Sequence, residues 1–190
     1  MIINYYIVVL TASAGGLKAL SEILSNLPKD FPAPIAVVQH LSPDYPSLLA
    51  EILSRRTPLL VKQAEAGELL RPGTVYIAPP NQHLLVNPDG SLELSNTEKV
   101  RHVRPAADVL FQSVADSFQE KAIAVVLTGM DGDGAMGIQA IKKMGGMVIA
   151  QDEATSQFFS MPNAAIKTGD VDFILPLDAI ASTLLNLVNR

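Results

Sequence analysis

Ser13, His40 and the aspartates Asp131 and Asp133 each follow an apolar run of this chain. Ser13 stands in Thr11-Ala12-Ser13-Ala14-Gly15-Gly16, just after Ile7–Leu10, and His40 directly follows Pro34–Gln39. The aspartates sit in Thr128-Gly129-Met130-Asp131-Gly132-Asp133-Gly134, after Ala122–Leu127. These are the residue types of a nucleophilic site. A serine hydroxyl attacks an acyl carbon when a base accepts its proton, and a histidine base needs a carboxylate to fix its tautomer and stabilise the imidazolium. Each residue also has an ordinary role. Ser13 ahead of a glycine pair suits a helix cap, the aspartates of a glycine-rich loop suit turns, and a lone histidine is commonly structural.

Whether the residues converge depends on the elements that carry them. Apolar, β-branched runs recur at Ile7–Leu10, Pro34–Gln39, Leu59–Lys62, Val75–Ala78, Ala122–Leu127, Met147–Ala150 and Asp172–Leu175. Most are continuously apolar rather than alternating, the pattern of strands buried on both faces. Helical stripes lie between them: Leu17, Leu20, Leu24 and Leu27; Leu48, Leu49, Ile52 and Leu53, with Pro46 in its first turn; Ala107, Leu110, Phe111, Val114 and Phe118; Ile138, Ile141 and Met144; and Ile180, Leu184, Leu187 and Val188. Two short runs flank Asn87-Pro88-Asp89-Gly90, a hairpin turn. The expectation is a three-layer α/β/α, doubly wound fold with a mostly parallel sheet of about seven strands and an added β-hairpin near the active site. Sites in such sheets form beyond the carboxyl ends of the strands, where Ser13, His40 and the aspartates all fall.

The 190 residues, 48% of them hydrophobic, suit one domain over 1–190. A net charge of −5 argues against a broad nucleic-acid footprint. The absence of cysteine removes disulfides, thiolate catalysis and Cys-based zinc sites, and fits a cytoplasmic protein. The start MIINYYIVVL reads as a short apolar strand without the features of a signal peptide. No apolar run approaches the ~20 residues of a membrane span, so no membrane insertion is expected. Neither GxGxxG nor GxxxxGK[ST] occurs, DGDG lacks the other ligands of an EF-hand loop, and no two histidines have metal-ligand spacing. No cofactor or metal is expected. His83 and His102 read as surface or hairpin residues. The order Ser…His…Asp and the lack of GxSxG argue against an ordinary esterase or lipase.

The sequence resembles the catalytic domain of the CheB family, the chemotaxis protein-glutamate methylesterases. The resemblance rests on TASAGG at Thr11–Gly16, Gln39-His40, IAPPNQH at Ile77–His83, VRPAADVLF at Val103–Phe111, LTGMDGDG at Leu127–Gly134 and AQDEATSQFFSMP at Ala150–Pro162. These blocks span nearly the whole chain in the family's order. The resemblance implies a serine hydrolase that demethylates glutamate methyl esters on the cytoplasmic helices of methyl-accepting chemoreceptors and deamidates receptor glutamines. It maps nucleophile, base and acid to Ser13, His40 and Asp133, and an oxyanion donor to the backbone N–H of Met130. Arg101 and Arg104 are candidates to steer acidic receptor helices, with a fold-stabilising role as the alternative for each. No receiver domain precedes the catalytic part in this chain, so a separate receiver or methyltransferase protein is a candidate partner, and a cleft active without phosphorylation is expected. Three residues depart from the family pattern: Thr11 replaces a glycine, Ala14 a frequent threonine and Asp131 a frequent glycine. Asp131 is expected to point away from the imidazole that Asp133 orients. The rival readings are a non-catalytic binding module, kept open by Thr11, and a hydrolase of other small carboxylic esters.

Overall fold

The computed structural model describes residues 4–42 and 45–190. The first three residues of the expected N-terminal strand lie outside them. Seven strands form one sheet: β1 (Ile7–Ala12), β2 (Ile35–Gln39), β3 (Leu60–Gln63), β4 (Thr74–Ile77), β7 (Ala122–Val126), β8 (Met147–Gln151) and β9 (Phe173–Leu175). All six pairings are parallel, in the order β3-β4-β2-β1-β7-β8-β9. β1, β2, β4 and β7 are buried along their whole length, which is why their sequences are continuously apolar. β5 (His83–Val86) and β6 (Leu92–Ser95) pair antiparallel around the Asn87–Gly90 turn.

Side chains alternate across the sheet. Val8, Leu10, Val37 and Val125 face one layer, with Leu20, Ile23 and Leu24 of α1 (Gly16–Ser25), Leu49 and Leu53 of α2 (Leu49–Ser54), and Ile180 and Leu184 of α6 (Leu177–Val188). Val9, Val38 and Ala124 face the other, with Leu110, Phe111 and Val114 of α3 (Ala107–Phe118), Ile138 and Ile141 of α4 (Ala135–Lys143), Met161 and Ala165 of α5 (Ser160–Ile166), and the hairpin. Burying each large aliphatic side chain contributes about 1.5–3 kcal/mol.

Several expectations change. Leu48 lies just ahead of α2 and is exposed, and Pro46 precedes that helix rather than entering its first turn. α5 has no counterpart in the sequence reading. His83 does lie in the hairpin but is fully buried: its Nε2 is 2.9 Å from the Glu98 carbonyl oxygen and its Nδ1 accepts the Ala106 N–H at 3.1 Å. It fastens the loop between β6 and α3, whereas His102 in that loop is exposed.

Candidate functional site

β2, β1 and β7 are neighbours at the centre of the sheet. α1 leaves β1 over one face and α3 enters β7 over the other, so the strand order reverses beside β1, where a crevice opens at the carboxyl ends. The ladder continues past the strands. His40 N–H donates to Ala12 O at 3.1 Å, Leu127 N–H to Thr11 O at 2.9 Å and Ser13 N–H to Thr128 O at 3.0 Å. These bonds set Ser13, His40 and the 128–134 loop side by side.

Ser13 does not cap α1. Gly15 takes the cap position with φ +80°, and no side chain caps this helix. The Ser13 carbonyl accepts Gly16 N–H at 2.9 Å and Gln39 Nε2 at 2.9 Å, while its hydroxyl makes no hydrogen bond among the described residues. The turn is held from both sides. Gln39 grips it from β2, and Thr128 Oγ1 donates to Ala14 O at 3.0 Å while accepting Phe158 N–H at 2.9 Å. Gln151 Oε1 in turn accepts Thr128 N–H at 2.9 Å. Gly129 packs directly on the nucleophile turn: a Cβ there would stand 2.9 Å from Ser13 Cβ and collide with Met161 Sδ. The Met130 N–H, in the same loop, donates to no group among the described residues.

The 128–134 loop brings both carboxylates to His40. Asp133, side chain fully buried, accepts from His40 Nε2 at 2.7 Å and from the Ala107 and Asp108 amides at 2.6 and 3.0 Å. It thereby caps α3, whose own Ala106 offers no side-chain cap. Asp108 returns the favour to α4, its Oδ1 accepting Gly134 N–H at 3.0 Å and Gly137 N–H at 2.8 Å. Burial pushes the Asp108 carboxyl up, with the Asp133 charge adding to it and the helix amides opposing. Gly134, φ +98°, makes the turn that lets the two carboxylates cross.

Asp131 does not point away. Its Oδ2 is 3.0 Å from His40 Nδ1, and its Oδ1 accepts Asp133 N–H at 2.9 Å. Burial of the imidazole works to lower its pKa, but the two carboxylates outweigh it and raise His40 to about 9. For Asp131, burial works upward, yet the imidazole, the Asp133 amide and Arg101 hold its carboxyl below the usual range.

Thr11 is fully buried on the α3–α4 side of β1, its methyl 3.4 Å from where a Cβ on Gly134 would sit. Its side chain is directed under the acid loop rather than into the crevice. Its hydroxyl has no hydrogen-bond partner among the described residues. Thr11→Val should therefore keep the site's geometry and be neutral or stabilising, by up to about 1 kcal/mol, because it removes a buried unpaired hydroxyl. Urea denaturation beside a Ser13-reactive probe checks this.

Arg104 donates to Asn81 Oδ1, to the Asn96 carbonyl and to the Thr97 carbonyl, tying down the loop before α3. Arg101 is set against Asp108, Nε to Oδ2 3.4 Å. An open groove of about 660 Å³ begins at Ser13 and runs along α1 past Lys18, Ser21, Arg56 and Gln157. Asp108, Asp131's contact with His40 and Gln151's grip on Thr128 were not read from the sequence; VRPAADVLF, LTGMDGDG and AQDEATSQFFSMP contain all three residues, without a sign of their partners.

Fold and crevice together define a doubly wound α/β protein with a serine, a histidine and buried carboxylates gathered at its switch point. The family model for CheB methylesterase matches residues 8–184. The chain is 45% identical over 185 residues to the protein-glutamate methylesterase FrzG of Myxococcus xanthus, covering 97% of this chain and 55% of that protein. It is 39% identical to a putative protein-glutamate methylesterase/protein-glutamine glutaminase of Leptospira interrogans, covering 97% and 95%. The crystal structure of the Thermotoga maritima CheB methylesterase catalytic domain is similar with a TM-score of 0.94 and 43% identity, over 98% of this chain and 100% of that one. The chain belongs to the CheB methylesterase family. It spans about half the length of FrzG and nearly all of the Leptospira protein. Among the described residues no helix is long and apolar enough to cross a membrane.

Proposed function

We propose that this chain is a cytoplasmic serine hydrolase that converts glutamate methyl esters on the methylation helices of chemoreceptors to free glutamates, and that it also deamidates selected glutamines there. The observation that carries this reading is the placement of Ser13, His40 and Asp133 at three adjacent strand ends, with His40 bonded to Asp133 and the Ser13 hydroxyl without a hydrogen bond among the described residues. The names of the similar proteins supply the substrate class.

In this reading neutral His40 takes the Ser13 proton as Oγ attacks the ester carbonyl. The carbonyl electron pair moves onto oxygen, and the Met130 N–H donates a hydrogen bond to that oxyanion. One such donor contributes ~3 kcal/mol in the transition state. As the intermediate collapses, the proton passes from His40 to the leaving methoxide and methanol departs. Water then repeats the sequence on the acyl-enzyme, and ammonia takes the place of methanol when the substrate is a glutamine. Asp133 holds the imidazole. The groove along α1 admits the side chain of a substrate helix, and its wall carries Lys18 and Arg56 against a single carboxylate, Glu22, a balance that suits an acidic helix. Arg101 and Arg104, engaged with the chain itself, serve the loop before α3 first.

A fluorophosphonate probe and methanol release from methylated receptor test the proposal together. Wild-type protein should label once, at Ser13, and release methanol; Ser13→Ala should lose both, with methanol release falling at least 10³-fold. A folded wild-type chain that never labels would favour the binding module. Labelling with turnover of small acetate esters but not of receptor would make it a hydrolase of other esters.

A further inference from the structure

Both ring nitrogens of His40 face carboxylates: Nε2 lies 2.7 Å from Asp133 Oδ2 and Nδ1 3.0 Å from Asp131 Oδ2. The second contact is close but not a well-aligned hydrogen bond, so it is chiefly an ion pair. A neutral imidazole has only one N–H. With that proton donated to Asp133, a lone pair on Nδ1 would stand against the Asp131 carboxylate, which repels it. The arrangement instead suits an imidazolium with a proton on each nitrogen. Yet a base for Ser13 needs a lone pair, and Asp133 has taken Nε2.

We propose that Asp131 is a positioning residue that competes with Ser13 for the second nitrogen of His40, holding the base as an imidazolium in the resting site and leaving it when the proton departs. The proposal rests on the serine-hydrolase reading above. Its first step is loss of one proton from Nδ1 to solvent. The Asp131 carboxylate then loses its attraction to the ring, and Nδ1 becomes the acceptor of the Ser13 proton. Asp131 is equipped to move: its side chain is 39% exposed and Arg101, across the loop, offers a second positive partner. His40 itself is only 11% exposed, so the contact is poorly screened. The other charged groups bordering the imidazole come from the loop before α3, where Lys99, His102 and Arg104 line the small cavity beside it, and from Asp108, next to Asp133. Lys99 and Arg104 disfavour the imidazolium, and the carboxylates in contact with it are Asp131 and Asp133. The His40 value of about 9 agrees with that balance.

The test is an NMR titration of the His40 ring in the full chain, beside the pH dependence of Ser13 labelling by a fluorophosphonate. Asp131→Asn removes the charge and retains an oxygen for the Asp133 amide; Asp131→Ser is the substitute should the asparagine variant not fold. In the wild type, His40 should titrate near 9, and labelling should rise along the same limb. In Asp131→Asn both should move down by at least one unit, so that at neutral pH labelling is about tenfold faster or more. Stability follows the same linkage. A folded pKa above the unfolded value near 6.5 stabilises below that pH, and the benefit fades as pH climbs to 9; the variant should show less of this decline. An unmoved His40 titration, or a titration that moves while the labelling limb stays fixed, would overturn the proposal. Failure of the serine-hydrolase reading looks different: Ser13 would label in neither protein, whatever the ring titration shows.

Discussion

Asp133→Asn is expected to lower methyl-ester turnover by about 10³–10⁴-fold and, at the same time, to destabilise the protein by about 1–3 kcal/mol. The first effect follows from the 2.7 Å contact with His40 Nε2. An amide NH₂ at that place forces the ring into the other tautomer, and in the serine-protease triad the corresponding change lowers turnover about 10⁴-fold. The second effect follows from the two helix amides. The Asp133 oxygens accept from Ala107 N–H and Asp108 N–H, one each, in a fully buried position. An asparagine has a single oxygen, so in either orientation its NH₂ opposes one of those donors, which leaves a buried amide unsatisfied and weakens the negative charge at the start of α3. Receptor demethylation and urea denaturation measured on the same preparation check the pair. An active variant, or an inactive one of wild-type stability, would separate the roles that the structure joins in one carboxylate.

Gly129→Ala should reduce turnover at least 10²-fold, although no reacting group is altered. The added methyl would stand 2.9 Å from Ser13 Cβ and against the Sδ of Met161. Met161 is 1% exposed and has little room to yield, so part of the displacement falls on the nucleophile. A shift of about 1 Å at a reacting group is enough for a 10²-fold loss, and overpacking of this kind costs about 1–3 kcal/mol in stability. Gly132→Ala in the same loop is the control. Its nearest neighbours, Ala164 Cβ and Arg101 Nη1, are both 3.7 Å from the new methyl, and its φ is not in the left-handed region. It should stay within about 0.5 kcal/mol of wild type and hold most of its turnover. Equal behaviour of the two variants would show that the close approach at Gly129 does not position Ser13.

The strands were legible because a central parallel strand must be apolar on both faces, as the runs Pro34–Gln39 and Ala122–Leu127 largely are; the strands formed there are Ile35–Gln39 and Ala122–Val126. The hairpin announced itself through Asn87-Pro88-Asp89-Gly90, and α3 through a stripe of five apolar residues along its twelve-residue length. α5 gave no such signal: seven residues carrying Ser160, Pro162 and Asn163 are too short and too polar for a periodic stripe, and the helix forms because Met161 and Ala165 find the core. The candidate triad was visible because strand ends are predictable places. The partners of its members were not. Asp133 meets Ala107 across 26 positions, and Asp108 meets Gly137 across 29; pairings of that span depend on how two helices approach, which no local pattern encodes. Asp131 was misjudged for a related reason. Residues two apart in a loop were expected to diverge, whereas the turn closed by Asp131 Oδ1 on the Asp133 amide bends both carboxylates toward one ring.

The exchange of caps between Asp133 and Asp108 bears on what would survive if the chemistry were abandoned. Ser13 has a hydroxyl that no described residue bonds, so its replacement by alanine is cheap for the fold. Either aspartate, by contrast, anchors the start of a neighbouring helix, and losing it is penalised even in a chain that hydrolyses nothing. A descendant that had drifted into pure binding would thus discard the serine first and carry its two aspartates long afterwards. Intact aspartates on this scaffold testify to a stable protein; evidence of a working one has to come from the serine.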